Sequence, residues 1–502
     1  MELGRLIACV AALVTVVGMA PVPNTPGFEI VDSAGTFELT RTSGDSRLYM
    51  VSPQNTEGQE VYNDPIYFVE LRGDRRTMGA DYATLVGKEA EECYDGVLKK
   101  AGIGFADRKI LETFMDQQWN DWLSKAVPDQ YMAELEGVKS VSRSVYKVLT
   151  RVIALANLPN DLPEDMRPIL IDENENKGTS GSGLKGAPDF GPVQAAMGSA
   201  LAAFGKVQSL KCSMYAVWGS RTRDDQLFSC RNLDYASDTG IAPYKSVTVW
   251  NPSDGSVPHV GVGFLPVYGV LSGMNKAGIT VHEANLEEKN ETFRGFPWVI
   301  RLRYIMESST NLEEAMALWD SNDNTIGYNH MIASQADAAP GSHPARVLET
   351  VAFRSEIFQD MDPREDACET GHPLPEALWR TNHPYDPDMR EDYLWWGRQA
   401  YNSSLIRYML AYESFVNYQR SDTKIDVVEA INITSVMGNK GIDHMYKCTF
   451  PYASTAGNNI LSVTNVPRDG VLYSAWENGS GDNWSPAACN AYVRFDLNQY
   501  WN

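Results

Sequence analysis

Hydrophobic residues recur along the chain with two kinds of spacing, and each predicts a different element. Apolar positions three or four residues apart are typical of amphipathic helices, whereas alternating or β-branched clusters are typical of strands. The first spacing predicts helices over residues 78–97, 110–125 and 130–155. The second predicts strands within residues 28–50 and 66–71. The N-terminal part of the chain is therefore expected to contain strands and to be rich in helices.

Strand patterns dominate the rest of the chain, interrupted by a block of helices. The early strands are predicted at residues 212–218, 226–233, 246–250, 260–264, 268–273 and 279–285. A helix over 297–307 and a second one opened by Thr310 follow, with Glu313 at capping-box spacing from Thr310. Runs at 460–466 and 471–476 flank Pro-Arg-Asp-Gly and predict a hairpin. Strands that bracket helices favour sheets and helices segregated into layers.

One segment, residues 172–192, has almost no apolar anchor and is rich in glycine, serine and charge. Burial cannot offset the entropy lost on ordering such a segment, so a mobile, protease-sensitive loop is expected. It precedes the strand-rich part of the chain.

The N-terminus has the pattern of a signal peptide over residues 1–20. A weakly basic start is followed by an apolar run, Leu6 to Ala20, that is too short to span a bilayer. A membrane anchor or a buried helix is the alternative for this run. No later stretch has 18 apolar residues, so no transmembrane span is expected beyond it.

Several features agree with a compartment that permits disulfides. Of seven cysteines, only Cys9 falls in the signal peptide, and Cys448 and Cys489 both lie in the C-terminal β region, where we expect them to pair. Glycosylation sequons, which make a glycoprotein possible, begin at Asn290, Asn402, Asn432, Asn478 and Asn483.

Charge narrows the class of partner. Asp and Glu number 65 against 43 Lys and Arg, giving a net charge of −22. A nucleic-acid partner is excluded on this balance, because phosphate binding needs basic side chains. An acidic protein suits an acidic compartment, so a secreted or lysosomal location is expected. Cys/His metal-ligand spacings are missing from the sequence, so no metal or other cofactor is predicted.

The chemistry-bearing segment is the predicted hairpin that starts at Cys212. A strand, a polar turn and a returning strand bring Cys212 close to Arg231 and Asp234. A guanidinium and a carboxylate beside a thiol are expected to lower the thiol pKa and to position a proton carrier.

Two kinds of base could serve this thiol. An imidazole could come from His282, His330 or His383, as in a thiol protease. Alternatively, a cut between Lys211 and Cys212 would free an α-amino group, whose ordinary pKa of about 7.7–8.0 suits a base.

These residues resemble the N-terminal-nucleophile hydrolases with a cysteine nucleophile, and above all the branch of acyl-coenzyme A:6-aminopenicillanate acyltransferase. Acid ceramidase, N-acylethanolamine amidase and bile acid hydrolase belong to the same group. Besides Cys212-Ser and the Arg231-Asn-Leu-Asp234 strand, five landmarks follow in family order. They are Leu71–Leu85, Tyr131–Gly137, Ser272–Asn285, Thr381-Asn382-His383 and the 460–476 hairpin.

The resemblance implies an α+β fold, a four-layered αββα sandwich of two antiparallel sheets. It implies a proenzyme that cuts itself into an N-terminal chain, residues 21–211, and a catalytic chain, residues 212–502, which stay associated. Cys212 would be the nucleophile and Arg231 would stabilise its thiolate. The substrate would be an acyl-amide, either a small molecule or a lipid.

Further roles are implied for three polar residues. Asp234 would orient the α-amine, Asn285 would donate to the oxyanion, and Asn382 would form a second polar wall of the pocket. A long N-terminal chain with the 172–192 loop is similar to phospholipase-B-like relatives. An ester hydrolase of that kind, or a glycoprotein that keeps the fold without catalysis, are therefore alternatives.

Each site residue also has a plain structural interpretation. Cys212 could be a small buried hydrophobe. Arg231 and Asp234, three apart on a strand, could be a surface arginine and a turn cap. Asn285 could cap its strand, and Asn382-His383-Pro384 could be an ordinary turn.

The hairpin and the Lys211–Cys212 junction make one directly testable prediction. N-terminal sequencing of purified protein should give a second chain that starts at Cys212. Denaturing gels that show a single uncut chain in active material would contradict it.

Overall fold

The computed structural model describes residues 28–158, 212–235, 238–394, 397–438 and 459–501. The strands in chain order are β1 Ile30–Asp32, β2 Phe37–Ser43, β3 Ser46–Val51, β4 Ile66–Gly73, β5 Ser213–Val217, β6 Phe228–Asp234, β7 Lys245–Pro252, β8 His259–Phe264, β9 Ser272–Asn275, β10 Ile279–Asn285, β11 Tyr328–Ser334, β12 Ala345–Val351, β13 Arg354–Phe358, β14 Ala377–Arg380, β15 Asn459–Val466, β16 Val471–Trp476 and β17 Tyr492–Asp496.

The helices in the described part of the chain fall into an N-terminal group and two later groups. They are α1 Arg75–Lys100, α2 Phe105–Asp121, α3 Asp129–Val141, α4 Arg143–Ala156, α5 Trp298–Ser308, α6 Leu312–Asp320, α7 Pro363–Asp366, α8 Pro387–Asp392, α9 Gly397–Arg420 and α10 Val427–Gly438. None of these helices is long and apolar enough to cross a bilayer.

The strands form two sheets that pack face to face. A seven-stranded sheet has the order β1-β17-β16-β15-β6-β5-β14, and a ten-stranded sheet has the order β13-β12-β11-β10-β9-β8-β7-β4-β3-β2. β10 packs against β5 and β6, and β9 against β15. Helix α10 covers β6 and β15, whereas α1, α5 and α6 cover the ten-stranded sheet. The expected αββα sandwich is confirmed.

The sheets are mixed rather than purely antiparallel. β1 pairs in parallel with β17, and β4 pairs in parallel with β7. Both parallel pairs join a strand from before residue 158 to a strand from after residue 212. Such pairs need a long crossover connection, which the intervening chain provides. The N-terminal part therefore contributes strands to both sheets rather than forming a separate domain.

Two helix predictions need correction. The single helix predicted over 130–155 is two helices, because Ser142 is extended and its hydroxyl accepts from Val145 N at 3.3 Å, capping α4. The predicted cap of α6 is one residue early. Asn311 is the N-cap and accepts from Glu314 N at 2.9 Å, while Thr310 bonds to the Glu314 carboxylate.

Three expectations lie outside the described residues. These are the signal peptide at 1–20, the loop at 172–192, and the Cys448 half of the proposed disulfide. All three stay predictions.

Helices α1 and α3 approach each other very closely. A Cβ added at Gly79 would lie 1.8 Å from the Glu134 carbonyl oxygen, and one at Gly137 would lie 2.0 Å from the Arg76 carbonyl oxygen. Only glycine fits at both positions. The crossing places the Glu134 side chain against α5.

Glu134 is the centre of a buried ion cluster, which we call the Glu134 cluster: Arg75, Glu134, Arg303 and Glu307. Arg303 donates to both Glu134 oxygens, at 2.6 and 2.8 Å. Arg75 bridges Glu134 and Glu307 at 3.1 and 2.9 Å. The cluster joins helices α1 and α3 to α5, so it links the two parts of the chain on either side of residue 211.

Removing one charge from this cluster should destabilise the fold strongly. Glu134→Gln leaves Arg75 and Arg303 buried and underpaired, so we expect the free energy of unfolding to fall by about 3–5 kcal/mol. Glu136→Gln on the same helix is the control, because Glu136 pairs with Lys139 in a half-exposed ion pair worth about 1 kcal/mol or less. Urea unfolding measures both variants, and equal effects would contradict the assignment.

Candidate active site

Cys212 directly precedes β5 and lies between the two sheets. Its side chain is fully buried. The β5–β6 pairing sets Met214 opposite Arg231, so the Arg231 guanidinium can reach back to the first residue of the hairpin. Arg231 Nη2 donates to Cys212 Sγ across 3.6 Å. The structure thus brings Cys212 and Arg231 together, as the hairpin predicts.

Arg231 is a buried arginine that bridges the two sheets. It is only 1% exposed, so the interpretation as a surface arginine is wrong. Its Nε donates to the Glu283 carbonyl oxygen at 3.0 Å, and its Nη2 forms an ion pair with the Glu283 carboxylate. Because Glu283 belongs to β10, this pair connects the seven-stranded sheet to the ten-stranded one.

Asp234, the last residue of β6, lies in the same region. Its carboxylate is buried and accepts from Asn459 Nδ2 at 2.8 Å. The negative charge of Asp234 acts to raise the pKa of both the Cys212 thiol and the Arg407 guanidinium. Asp234 is therefore part of the charged surroundings of Cys212 and not a solvent-facing turn cap.

The backbone of Cys212 is held on both sides. Its N–H donates to Asn382 Oδ1 at 2.8 Å. Its carbonyl oxygen accepts from Arg407 Nη1, and Arg407 Nη2 donates to the same Asn382 oxygen at 2.8 Å. Asn382 Nδ2 in turn donates to the Asn285 carbonyl at 2.6 Å. Asn382 therefore links the nucleophile candidate to the end of β10.

Asn382 is itself fixed by hydrogen bonds to its backbone. Its N–H donates to Ser404 Oγ at 2.7 Å, and its carbonyl accepts from the Tyr393 hydroxyl at 2.7 Å. Asn329 Nδ2 donates to the preceding carbonyl, that of Thr381, at 2.8 Å. An ordinary turn would not need this set of buried partners, so the plain interpretation of Asn382 is inadequate.

Asn285 ends β10 directly opposite Tyr328 on β11. Residues paired in this way on antiparallel strands project from the same face of the sheet. Asn285 is 5% exposed, and its carbonyl oxygen is the atom that contacts Asn382. The structure therefore brings Asn285 to the site, and the role of its side-chain amide stays a proposal.

The three candidate histidines are engaged elsewhere. Both ring nitrogens of His282 bond to serine hydroxyls, at 2.9 and 2.7 Å. Those of His383 bond to Ser404 and Tyr385, at 2.8 and 3.1 Å. Burial lowers the pKa of His282 and His383 to about 3, and His330 packs among aromatic rings. These contacts do not favour an imidazole base for Cys212.

The Cys212 thiol is not activated in the uncut chain. Burial raises its pKa to about 12, the Glu283 carboxylate raises it as well, and Arg231 acts in the opposite direction. The expectation of a lowered thiol pKa is therefore wrong for this state. Desolvation disfavours the thiolate more than one partly neutralised guanidinium favours it.

Two residues of the site were not anticipated from the sequence. Glu283 lies two residues before Asn285 on the same predicted strand. The available signal was an acidic residue within a strand that was expected to be buried. Arg407 lies within the helix α9, where its position carries no sequence signal for the site. Both are fully or almost fully buried.

Comparison with known proteins supports the resemblance for the middle of the chain. Residues 221–432 match the family model described as acyl-coenzyme A:6-aminopenicillanic acid acyl-transferase. The matched range contains Arg231, Asp234, Asn285 and Asn382, and Cys212 lies just before it. No curated protein matches the sequence significantly.

Three solved structures are similar to part of this chain. A Caenorhabditis elegans ortholog of N-acylethanolamine-hydrolyzing acid amidase is 15% identical, with 51% of this chain and 93% of that chain covered and a TM-score of 0.35. Conjugated bile acid hydrolase from Clostridium perfringens is 12% identical, with 57% and 97% covered and a TM-score of 0.34. Penicillin V acylase from Agrobacterium tumefaciens is 13% identical, with 57% and 92% covered and a TM-score of 0.32.

Replacing Asn382 should cost stability because three buried groups lose their partner. Asn382→Leu removes the acceptor for Cys212 N–H and Arg407 and the donor to Asn285. We expect the free energy of unfolding to fall by about 2–4 kcal/mol. Asn417→Leu, the same change at an exposed position of α9, should stay within about 0.5 kcal/mol. Urea unfolding compares the two variants. An unchanged unfolding midpoint for Asn382→Leu would show that the hydrogen bonds of the Asn382 side chain do not stabilise the fold.

Proposed function

We propose that this chain, whose residues 221–432 match the acyl-coenzyme A:6-aminopenicillanic acid acyl-transferase family, is a self-processing cysteine amidase or acyltransferase of the N-terminal-nucleophile class. The observation that carries the proposal is that separate groups contact the sulfur and the backbone of Cys212. Its sulfur contacts Arg231, while its nitrogen and carbonyl are held by Asn382 and Arg407. A cut before Cys212 would leave these contacts to its sulfur, nitrogen and carbonyl in place.

Activation would begin with the Cys212 thiol attacking the carbonyl carbon of Lys211. The new S–C bond forms as the C–N bond to Cys212 breaks, and the thiol proton passes to the departing nitrogen. Water then hydrolyses the thioester, which leaves a carboxylate on Lys211, a free thiol and an α-amino group on Cys212. The Asn382 oxygen that accepts from the peptide N–H can accept equally from this amine.

In turnover the α-amine would take the thiol proton, and the thiolate would attack the amide carbonyl of the substrate. Arg231 would stabilise the thiolate, and Asp234 and Asn382 would orient the amine. The Asn285 side-chain amide would donate to the developing oxyanion. The amine product leaves with the proton, and water or an acceptor amine releases the acyl group from sulfur.

The substrate class that we propose is an N-acylated small molecule or lipid, and the proposed location is secreted or lysosomal. The acidic composition and the apolar N-terminal run support that location. The two chains would stay together after the cut. Parallel pairs β1–β17 and β4–β7, together with the Glu134 cluster, support this association.

The first test compares the two cysteines of the hairpin. Cys212→Ala should give a folded chain that stays uncut and inactive, because the thiol serves both steps. Cys230→Ala is the matched control, since Cys230 is equally buried on β6 and should be cut normally. N-terminal sequencing and denaturing gels read the outcome. Normal cutting of Cys212→Ala would assign the processing to another protease.

The second test concerns the oxyanion donor. Asn285→Ala should lower kcat and kcat/KM together by about 100- to 1,000-fold with little change in KM, because the lost hydrogen bond forms in the transition state. Asn285→Asp should be at least as harmful, since it adds a negative charge where one develops.

A structural asparagine provides the control for that test. Asn275 ends β9, and its side chain donates to the Met306 and Ser309 carbonyls at 2.6 and 2.8 Å. Asn275→Ala should lower the melting temperature and leave kcat nearly unchanged. If Asn285→Ala behaves in the same way, Asn285 is a strand cap and not an oxyanion donor.

A further inference from the structure

Glu283 and Arg231 form a contact pair that the proposed mechanism does not explain. Glu283 lies near the end of β10, where β9 no longer pairs beside it. Its side chain is buried in the sandwich, away from bulk water. A carboxylate in such a position is costly unless it is paired. The Glu283 carboxylate pairs with the same guanidinium that contacts the Cys212 sulfur.

Glu283 makes two contacts with the Arg231 guanidinium. Arg231 Nε donates to the Glu283 carbonyl at 3.0 Å, and Nη2 pairs with the Glu283 carboxylate. The backbone and side chain of one residue therefore hold two nitrogens along one edge of the guanidinium. The same Nη2 faces Cys212 Sγ at 3.6 Å, so the ion pair aims this nitrogen at the sulfur.

In the described part of the chain, the charges around the sulfur come from three elements. Arg231 and Asp234 belong to β6, Glu283 to β10 and Arg407 to α9. The hydroxyl of Tyr328 on β11 is also close enough that negative charge on Cys212 raises its pKa. Two cations and two carboxylates nearly balance. Removing Glu283 would leave an uncompensated positive charge beside the sulfur.

We propose that Glu283 is a positioning residue, which holds the Arg231 guanidinium against the Cys212 sulfur and offsets part of its positive charge. Glu283 thereby limits how far Arg231 stabilises the thiolate. The inference rests on the proposed function for its importance in catalysis, but the charge effect on Cys212 exists whether or not the chain is cut.

Replacing Glu283 by glutamine separates the two parts of this role, which are the hydrogen bond to Arg231 and the negative charge. Glu283→Gln keeps a carbonyl oxygen that can accept from Arg231 Nη2 and removes the charge. The rate of Cys212 alkylation by iodoacetamide at pH 8, taken relative to that of the equally buried Cys230 in the same chain, should then rise by about tenfold or more. Arg231→Met should lower the same relative rate. The alkylation of Cys212 is followed in the full chain by mass spectrometry.

A double variant serves as the test if either single variant fails to fold because it leaves one charge buried and unpaired. Arg231→Met with Glu283→Gln removes both charges together, and a buried pair replaced in this way is often tolerated. Its relative alkylation rate should return most of the way from that of Arg231→Met toward that of the wild type. A double variant that behaves like Arg231→Met would overturn the proposal.

A matched control distinguishes this effect from general loss of stability. Glu365 is a buried carboxylate that pairs with Arg380 at 2.7 Å and with Tyr408. Glu365→Gln should lower the melting temperature without changing the relative alkylation rate of Cys212. An unchanged relative rate in Glu283→Gln would reduce Glu283 to a structural ion pair. Failure of the chain to cut at Cys212 would instead contradict the proposed function and leave the alkylation result intact.

Discussion

Burial of charge is the constraint on which the arrangement around Cys212 depends. The groups that surround the thiol lie between two sheets, where an unpaired ion would be too costly to retain. Arg231 is held by Glu283, and Arg407 is held by the Asn382 oxygen and the Cys212 carbonyl. The requirement that each ion find a partner is what brings β5, β6, β10 and α9 to one point.

The same constraint connects the two parts of the chain that the proposed cut would separate. Arg75 and Glu134 precede the Lys211–Cys212 junction, whereas Arg303 and Glu307 follow it. Close contact at Gly79 and Gly137 brings α1 and α3 together and places Glu134 within reach of α5. Glycines that look like a family signature in the sequence therefore have a packing reason, since any side chain there would meet backbone.

Local patterns predicted the elements well where the information is local. The hairpin of β5 and β6 follows from a strand, a polar turn and a second strand, and its geometry is enough to bring Arg231 to Cys212. The boundary between α3 and α4 was missed because Ser142 interrupts no hydrophobic periodicity, although it is a good capping residue. The parallel pairs were missed because strand patterns do not record the direction of a distant partner.

The sequence by itself determined the α+β character, the layered order of strands and helices, and a thiol placed beside an arginine at the start of a hairpin. Only the tertiary structure decided which groups complete the site. Glu283 contacts Arg231 across 52 residues of sequence, Asn382 contacts Cys212 across 170, and Arg407 contacts Cys212 across 195. Periodicity and capping describe interactions between near neighbours in the chain. The partners of buried ions are instead fixed by how the two sheets and α9 pack, and no local pattern encodes that packing.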